Sequence, residues 1–230
     1  MTGTPKIRPI RSFVLREGRM TDAQRMALET FWEKYGVDED ADVLDFEALF
    51  GRAAPCHLEI GFGMGDALAG MGHAHPENDY LGIEVHSPGV GSFMQKAHAL
   101  ELNNVRVISS DAVELLEKRM PAASLDAVYL FFPDPWPKRR HHKRRIVNPA
   151  FAALVASKLK PGGRFHMATD WEDYARHMLQ VMNAAQDFTN VAGEKQFVPR
   201  PEYRPLTKFE RRGQRLGHGI WDMIFERKKA

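Results

Sequence analysis

With 230 residues, 43% of them hydrophobic and 27% charged, the chain is long enough for one large α/β domain with its own core. No apolar run approaches the roughly 20 residues of a membrane-spanning helix, the basic N-terminus lacks the apolar segment of a secretory signal, and the single cysteine, Cys56, excludes an intrachain disulfide and fits a reducing, cytoplasmic setting. The net charge of +2 hides its distribution: segments 1–20, 138–145 and 200–215 hold 17 of the 32 basic residues but 3 of the 30 acids, so an acidic body carries three cationic patches, which together would make a nucleic-acid footprint.

Residues 1–20 (Lys6, Arg8, Arg11, Arg16, Arg19) read as an extended basic arm. Thr21-x-x-Gln24 is a capping box that opens a helix. Leu28, Phe31, Trp32 and Tyr35 follow at helical spacing, an aromatic stripe read as packing, and Gly36 closes the helix. Residues 1–50 are therefore expected to form an arm plus helix, and 51–230 a single main domain entered near Pro55.

Cys56–Ile60 reads as a short strand, followed by Gly61-Phe62-Gly63-Met64-Gly65-Asp66. A glycine turn between strand and helix lets backbone approach a nucleotide-like ligand, a signal that is weak alone. Here Asp66 stands where GxGxxG has its last glycine, and Glu59 stands two residues before Gly61. Carboxylates beside the loop would repel a pyrophosphate; they suit a phosphate-free cationic ligand such as S-adenosylmethionine. The second strand, Tyr80–Val85, ends in Glu84, 19 residues beyond Gly65, placed to accept ribose hydroxyls; the plain alternative is a surface carboxylate. Ser87-Pro88 predicts a helix with serine at the N-cap and proline at N1. A third strand, Val105–Ser109, leads to Asp111, which fits either an adenine amine or the N-cap of a helix over Ala112–Lys118.

The fourth strand, Leu125–Phe132, runs into the densest chemistry in the chain, YLFFPDPWPKRRHHKRR (129–145). Pro133 and Pro135 end the strand, because proline has no N–H to give. Asp134 and Trp136 then stand at the strand's carboxyl end, where open α/β sheets hold ligands. Trp136 offers either a stacking surface for a base or an anchor for the loop, and Lys138 to Arg145 offer a grip on a polyanion; the bland alternative is a solvated charged loop. Asn148-Pro149 starts a helix that LKPGGRF (159–165) breaks before a fifth strand, Phe165–Ala168. Asp170 ends that strand and is placed to cap the following helix. After Phe188 the pattern is less regular, with a last edge strand over Ile220–Glu226. Strand–helix alternation through five units predicts a doubly wound, mostly parallel Rossmann-like sheet with helices on both faces. Glu59, Glu84, Asp111, Asp134 and Asp170 all fall at strand carboxyl ends.

At this point the chain resembles a known family. LEIGFGMG (58–65), GIEVHSPGVG (82–91), DAVELLE (111–117), FFPDPWPK (131–138), KRRIV (143–147), TDWEDYA (169–175), TKFERRG (207–213) and RSFVLREGRMT (11–21) are similar to the bacterial tRNA (guanine-N7-)-methyltransferases. The resemblance implies a seven-stranded class I methyltransferase fold and transfer of a methyl group from S-adenosyl-L-methionine to N7 of a variable-loop guanine, position 46, of tRNA. It carries cofactor-binding roles onto Glu59, Gly61, Gly63, Gly65, Glu84, Asp111 and Asp134, with Asp134 also catalytic. It carries substrate binding onto Lys138, Asp170, Thr207, Lys208, Phe209 and Glu210, and RNA contact onto Arg140, His141, His142, Lys143, Arg144 and Arg145. Asp170 and Glu210 are the two acids placed to accept from the guanine edge. The expected partner is tRNA, with no metal, no membrane, and a monomer or homodimer as the assembly.

Three rival readings fit the sequence less well. A methyltransferase acting on an exocyclic base amine has a similar Pro-rich motif, but with adjacent prolines, which Asp134 separates here. An NAD-dependent oxidoreductase is disfavoured by the acids around the glycine loop. A non-catalytic RNA-binding module would not need Glu59, Glu84, Asp111 and Asp134 together.

Overall fold

A computed structural model describes residues 11–13, 19–38, 43–206, 210 and 219–229. The capping box forms as read: Thr21 Oγ1 accepts from the Gln24 N–H at 3.2 Å, and Gln24 Oε1 accepts from the Thr21 N–H at 3.0 Å. They start helix α1 (Asp22–Tyr35). At Gly36 the chain leaves the helix in extended conformation, and Gly36 bridges Val107. The aromatic stripe is packing, with Tyr35 fully buried.

Seven strands form one sheet: β1 (Cys56–Ile60), β2 (Asp79–Ile83), β3 (Val105–Ile108), β4 (Leu125–Phe131), β5 (Leu159–Thr169), β6 (Phe188–Asn190) and β7 (Trp221–Arg227). Their order is β3-β2-β1-β4-β5-β7-β6. The first five are parallel, and β7 runs antiparallel to both β5 and β6. The chain moves outward from β1 through β2 to β3, then returns to β4 on the other side of β1. That reversal is a topological switch point, and it opens a crevice at the carboxyl ends of β1 and β4.

Six further helices are described: α2 (Phe46–Phe50), α3 (Asp66–Ala74), α4 (Ser87–Ala99), α5 (Ala112–Lys118), α6 (Pro149–Lys158) and α7 (Glu172–Ala184). The sheet separates them by the two-residue period of its side chains. Along β4, Val128 and Leu130 join one apolar cluster with α5, α6 and α7, while Ala127, Tyr129 and Phe131 join the other with α1, α3 and α4. Both faces are thereby buried, which explains why these strands read as near-continuous apolar runs.

Three expectations are corrected. The fifth strand begins at Leu159 rather than Phe165; LKPGG does break α6, but Leu159 already pairs with Leu125, and the register shifts before Ala127 meets Arg164. The last strand is interior, because the three-residue β6, too short to leave a sequence pattern, takes the edge. At α4, Ser87 is already helical and His86 is the boundary residue, with no side-chain cap.

Helix α4 is pressed against the glycine turn. A Cβ on Gly89 would lie 2.3 Å from the carbonyl oxygen of Gly63, a backbone atom that cannot swing aside. Gly89→Ala is therefore expected to destabilise the protein by about 1–3 kcal/mol, as overpacking does, lowering Tm by several degrees at about 2–4 °C per kcal/mol. An unchanged Tm in a thermal melt would show that helix and turn are not in contact.

Candidate active site

The site grows from the turn after β1. Gly61 and Gly63 take left-handed backbone, φ +70° and +57°, and a Cβ on either would meet nothing within 4 Å. The loop therefore presents bare backbone to open space. Glu84, just past β2, ties it down: its Oε2 accepts from the Gly63 N–H at 2.7 Å, and its Oε1 from the N–H groups of Val85 and His86 at 2.8 and 3.0 Å. A carboxylate has about four acceptor sites, so one remains for a donor from outside.

Glu59, inside β1, is the least satisfied acid here. It is 2% exposed, and its Oε2 is buried with no hydrogen-bond partner among the described residues. Burial, and then the neighbouring charge of Glu84, push its carboxyl up to about 8. A buried acid of this kind is stable when protonated or when a cation stands beside it. The donor set thus fits a ligand with a positively charged group and rejects one carrying phosphates.

Beside the turn lies a pocket of about 130 Å³ that opens to solvent. Gly61, Glu84, Asp111 and Asp134 stand on its wall with the apolar Ile60, Ile83 and Leu130. Three of the five strand-end acids, Glu84, Asp111 and Asp134, are therefore brought to one cavity with Gly61, while Glu59, Gly63, Gly65 and Asp170 are not among the residues that line it. Asp111 also caps α5, accepting from the Val113 N–H at 2.9 Å. Ser12 and Phe13 complete the wall. Nothing local marks their place at the pocket, since in the sequence the arm reads only as an extended basic segment.

The arm is held by the Pro-flanked loop. Trp136 Nε1 donates to the Ser12 carbonyl at 3.1 Å, and Arg144 Nη1 donates to the Arg11 carbonyl at 3.4 Å. The Arg144 guanidinium lies 5.0 Å over the indole, whose edge meets His141. Trp136 is thus anchored. Phe132 and Trp136 bracket Asp134 in left-handed conformations, φ 52° and 47°, at about 1–3 kcal/mol of strain each. Such strain persists only where surrounding contacts over-determine the backbone.

The cationic run divides in two. Lys138, Arg139, Arg140 and Lys143 are exposed, while His141, His142 and Arg144 are half-buried. Arg145 turns inward, unlike the rest of the run. It is 4% exposed, donates from Nε to the Pro135 carbonyl at 2.9 Å, pairs with Asp173, and lies over the Tyr174 ring at 4.8 Å. It fastens the motif loop to α7.

On the acceptor side, Asp170 is half-buried at the end of β5, beside the tip of β4. It does not cap α7: Trp171 is the boundary residue, and its N–H goes to Thr169 Oγ1. Glu210 is 2% exposed and paired with Arg204 at 2.7 Å. Both oxygens of Glu210 accept from the Arg204 guanidinium. Thr207, Lys208 and Phe209 lie outside the described residues. In the sequence Arg204 is one more cation of the basic segment 200–215, with no local sign of its burial. Among the described residues no group of three His, Cys, Asp or Glu is placed to hold a metal.

Comparison with known proteins agrees with this geometry. A family described as putative methyltransferase matches residues 53–223. A tRNA (guanine-N(7)-)-methyltransferase from Hydrogenovibrio crunogenus is 59% identical over 220 residues, covering 96% of this chain and 92% of the relative. One from Edwardsiella ictaluri is 60% identical over 221 residues, covering 96% and 93%. Among solved structures, the 16S rRNA methyltransferase KamB superposes with a TM-score of 0.62 at 15% identity, over 85% of this chain and 99% of that one. That level of identity speaks for the class I methyltransferase fold.

The protonation of Glu59 can be tested without any ligand. Between the ordinary carboxylate range and about pH 8, the folded state holds a proton that the unfolded chain has released. Stability therefore falls as pH rises through that window. Glu59→Gln, a neutral isostere, should gain stability relative to the parent with each step from pH 5 to pH 8 in chemical denaturation. Parallel curves for the two proteins would mean that Glu59 is not buried as an acid.

Proposed function

The chain belongs to the tRNA (guanine-N(7)-)-methyltransferase family, and on that premise we propose that it uses S-adenosyl-L-methionine to methylate N7 of guanine 46 in the tRNA variable loop. The observation that carries the cofactor half of this reading is the orphaned Glu59 carboxyl beside a phosphate-averse glycine turn. When bound, the cofactor supplies an electrophilic methyl group on a sulfonium. Glu59 balances its ammonium; Glu84 offers its remaining acceptor site to the ribose hydroxyls; Asp111 has the oxygen not used in capping for the adenine amine.

Guanine N7 carries a lone pair and no proton, so no residue has to act as a general base. What remains for the protein is alignment and charge. Bringing two reactants into line can supply up to roughly 7–11 kcal/mol in ideal intramolecular cases. Positive charge builds on the purine as the methyl arrives, and a fixed carboxylate beside that path stabilises it electrostatically. Asp134 fills this role, since it stands on the pocket wall in a loop held by two left-handed residues. Asp170, at the adjoining strand tip, accepts from guanine N1–H and the 2-amine, since Glu210 is already engaged by Arg204. Lys138 with Thr207 and Lys208 completes the guanine side, while Arg140, Lys143 and Arg144 hold tRNA phosphates in a sequence-neutral grip.

The reading is tested by incubating unmodified tRNA with the protein and methyl-tritiated S-adenosyl-L-methionine, then mapping the label. Label at N7, where borohydride and aniline cleave the chain, supports it; label on an exocyclic amine or none at all overturns it. In the same assay Asp134→Ala should slow single-turnover transfer at least a hundredfold at saturating tRNA and cofactor. A normal rate would remove Asp134 from the chemistry. Arg140→Ala should lower the slope of log K against log salt by about one; an unchanged slope would show that no phosphate is held there.

A further inference from the structure

Beneath the Pro-flanked loop lies a buried ionic clamp. Arg204 is fully buried, and its guanidinium forks between two carboxylates. Nε and Nη2 donate to the two oxygens of Asp222 at 2.7 and 2.9 Å, and Nη1 and Nη2 donate to the two oxygens of Glu210 at 2.7 and 2.9 Å. The same guanidinium lies over the rings of Phe131 and Phe132, at 5.8 and 5.6 Å. Asp222 is in β7 and also bonds His166 Nε2 at 2.8 Å, while His166 Nδ1 meets the Tyr203 hydroxyl at 3.0 Å. Phe132, two residues before Asp134, has the left-handed φ noted above, and its N–H donates to the Ala168 carbonyl at 2.8 Å. Ala168 is the residue paired with Asp222 across β5 and β7.

These contacts make one frame around the last residues of β4. The backbone bond to Ala168 fixes Phe132 from one side. The guanidinium plane fixes its ring from another, and that plane is itself held by Asp222 and Glu210. We propose that Arg204 is a positioning residue for methyl transfer: clamped between Asp222 and Glu210, it holds Phe132 in its strained conformation and so sets where Asp134 stands relative to the guanine. The inference rests on the function proposed above and concerns residues outside its catalytic and cofactor-binding set. Arginine is required because a planar fork can serve two carboxylates and stack on rings at once; a lysine ammonium keeps the charge but cannot do both.

The test is Arg204→Lys, read in single-turnover methyl transfer to tRNA, alongside cofactor affinity and a thermal melt to confirm folding at the assay temperature. The expected result is a rate at saturating tRNA and cofactor at least tenfold below that of the parent, with the cofactor Kd within twofold. A parent-like rate, or a loss confined to cofactor affinity, overturns the proposal. If Arg204→Lys does not fold, Asp222→Asn decides the matter, since it leaves Arg204 and Glu210 as a charge-balanced pair. It should fold and lose threefold or more in the same rate, and full activity overturns the proposal. A parent protein that transfers no methyl would instead refute the underlying function.

Discussion

Two carboxyl groups at the ends of adjacent strands, Glu59 and Glu84, set the terms for the rest of the molecule. Glu84 is bound by three backbone N–H groups and holds the glycine turn. Glu59, behind it, has its carboxyl pushed up to about 8, by burial first and by the neighbouring Glu84 charge second. A protein built only for stability would fill such a place with apolar side chains. In the function proposed above, the ammonium of the ligand completes the pair, which favours such a ligand over a dinucleotide with its pyrophosphate.

The sheet order turns this local chemistry into a site. Because β1 lies at the switch point, with β2 on one side and β4 on the other, the cofactor side and the acceptor side meet at neighbouring strand tips. Glu59, Glu84 and Asp111 gather on β1, β2 and β3; Asp134 and Asp170 follow β4 and β5. Arg145 and Arg204 then secure the acceptor half from behind, one to α7 and the other to β7. In the proposed function the exposed cations, Lys138, Arg139, Arg140 and Lys143, meet the polyanion. The arm residues Ser12 and Phe13 link the two halves, since they line the pocket while Trp136 and Arg144 hold their backbone.

What the sequence disclosed was whatever depends on local rules. The capping box at Thr21, the glycine turn, the proline stop after β4 and the acids at strand ends each follow from backbone constraints that act over a few residues. What it hid depends on partners far along the chain. Arg145 looks like Arg144 in a run of cations, and only Tyr174 and Asp173 on a later helix show that it faces inward. Arg204 and Glu210 read as an electrostatic surface until Asp222 is placed beside them by β7. The three-residue β6 carries no period to detect, so β7 was expected at the edge. In the sequence Trp136 fits base stacking and anchoring alike; the anchoring contacts come from Ser12 and Arg144, far along the chain or on the next turn.

The central claim is that Glu59 waits protonated for a cation. It is tested most directly by calorimetric titration of S-adenosylhomocysteine, which keeps the ammonium, into the protein at pH 7 in two buffers of different ionisation enthalpy. The account predicts binding with release of about one proton per site, as the acid held near pH 8 ionises beside the incoming charge. Binding with no proton released, or no binding at all, would contradict it.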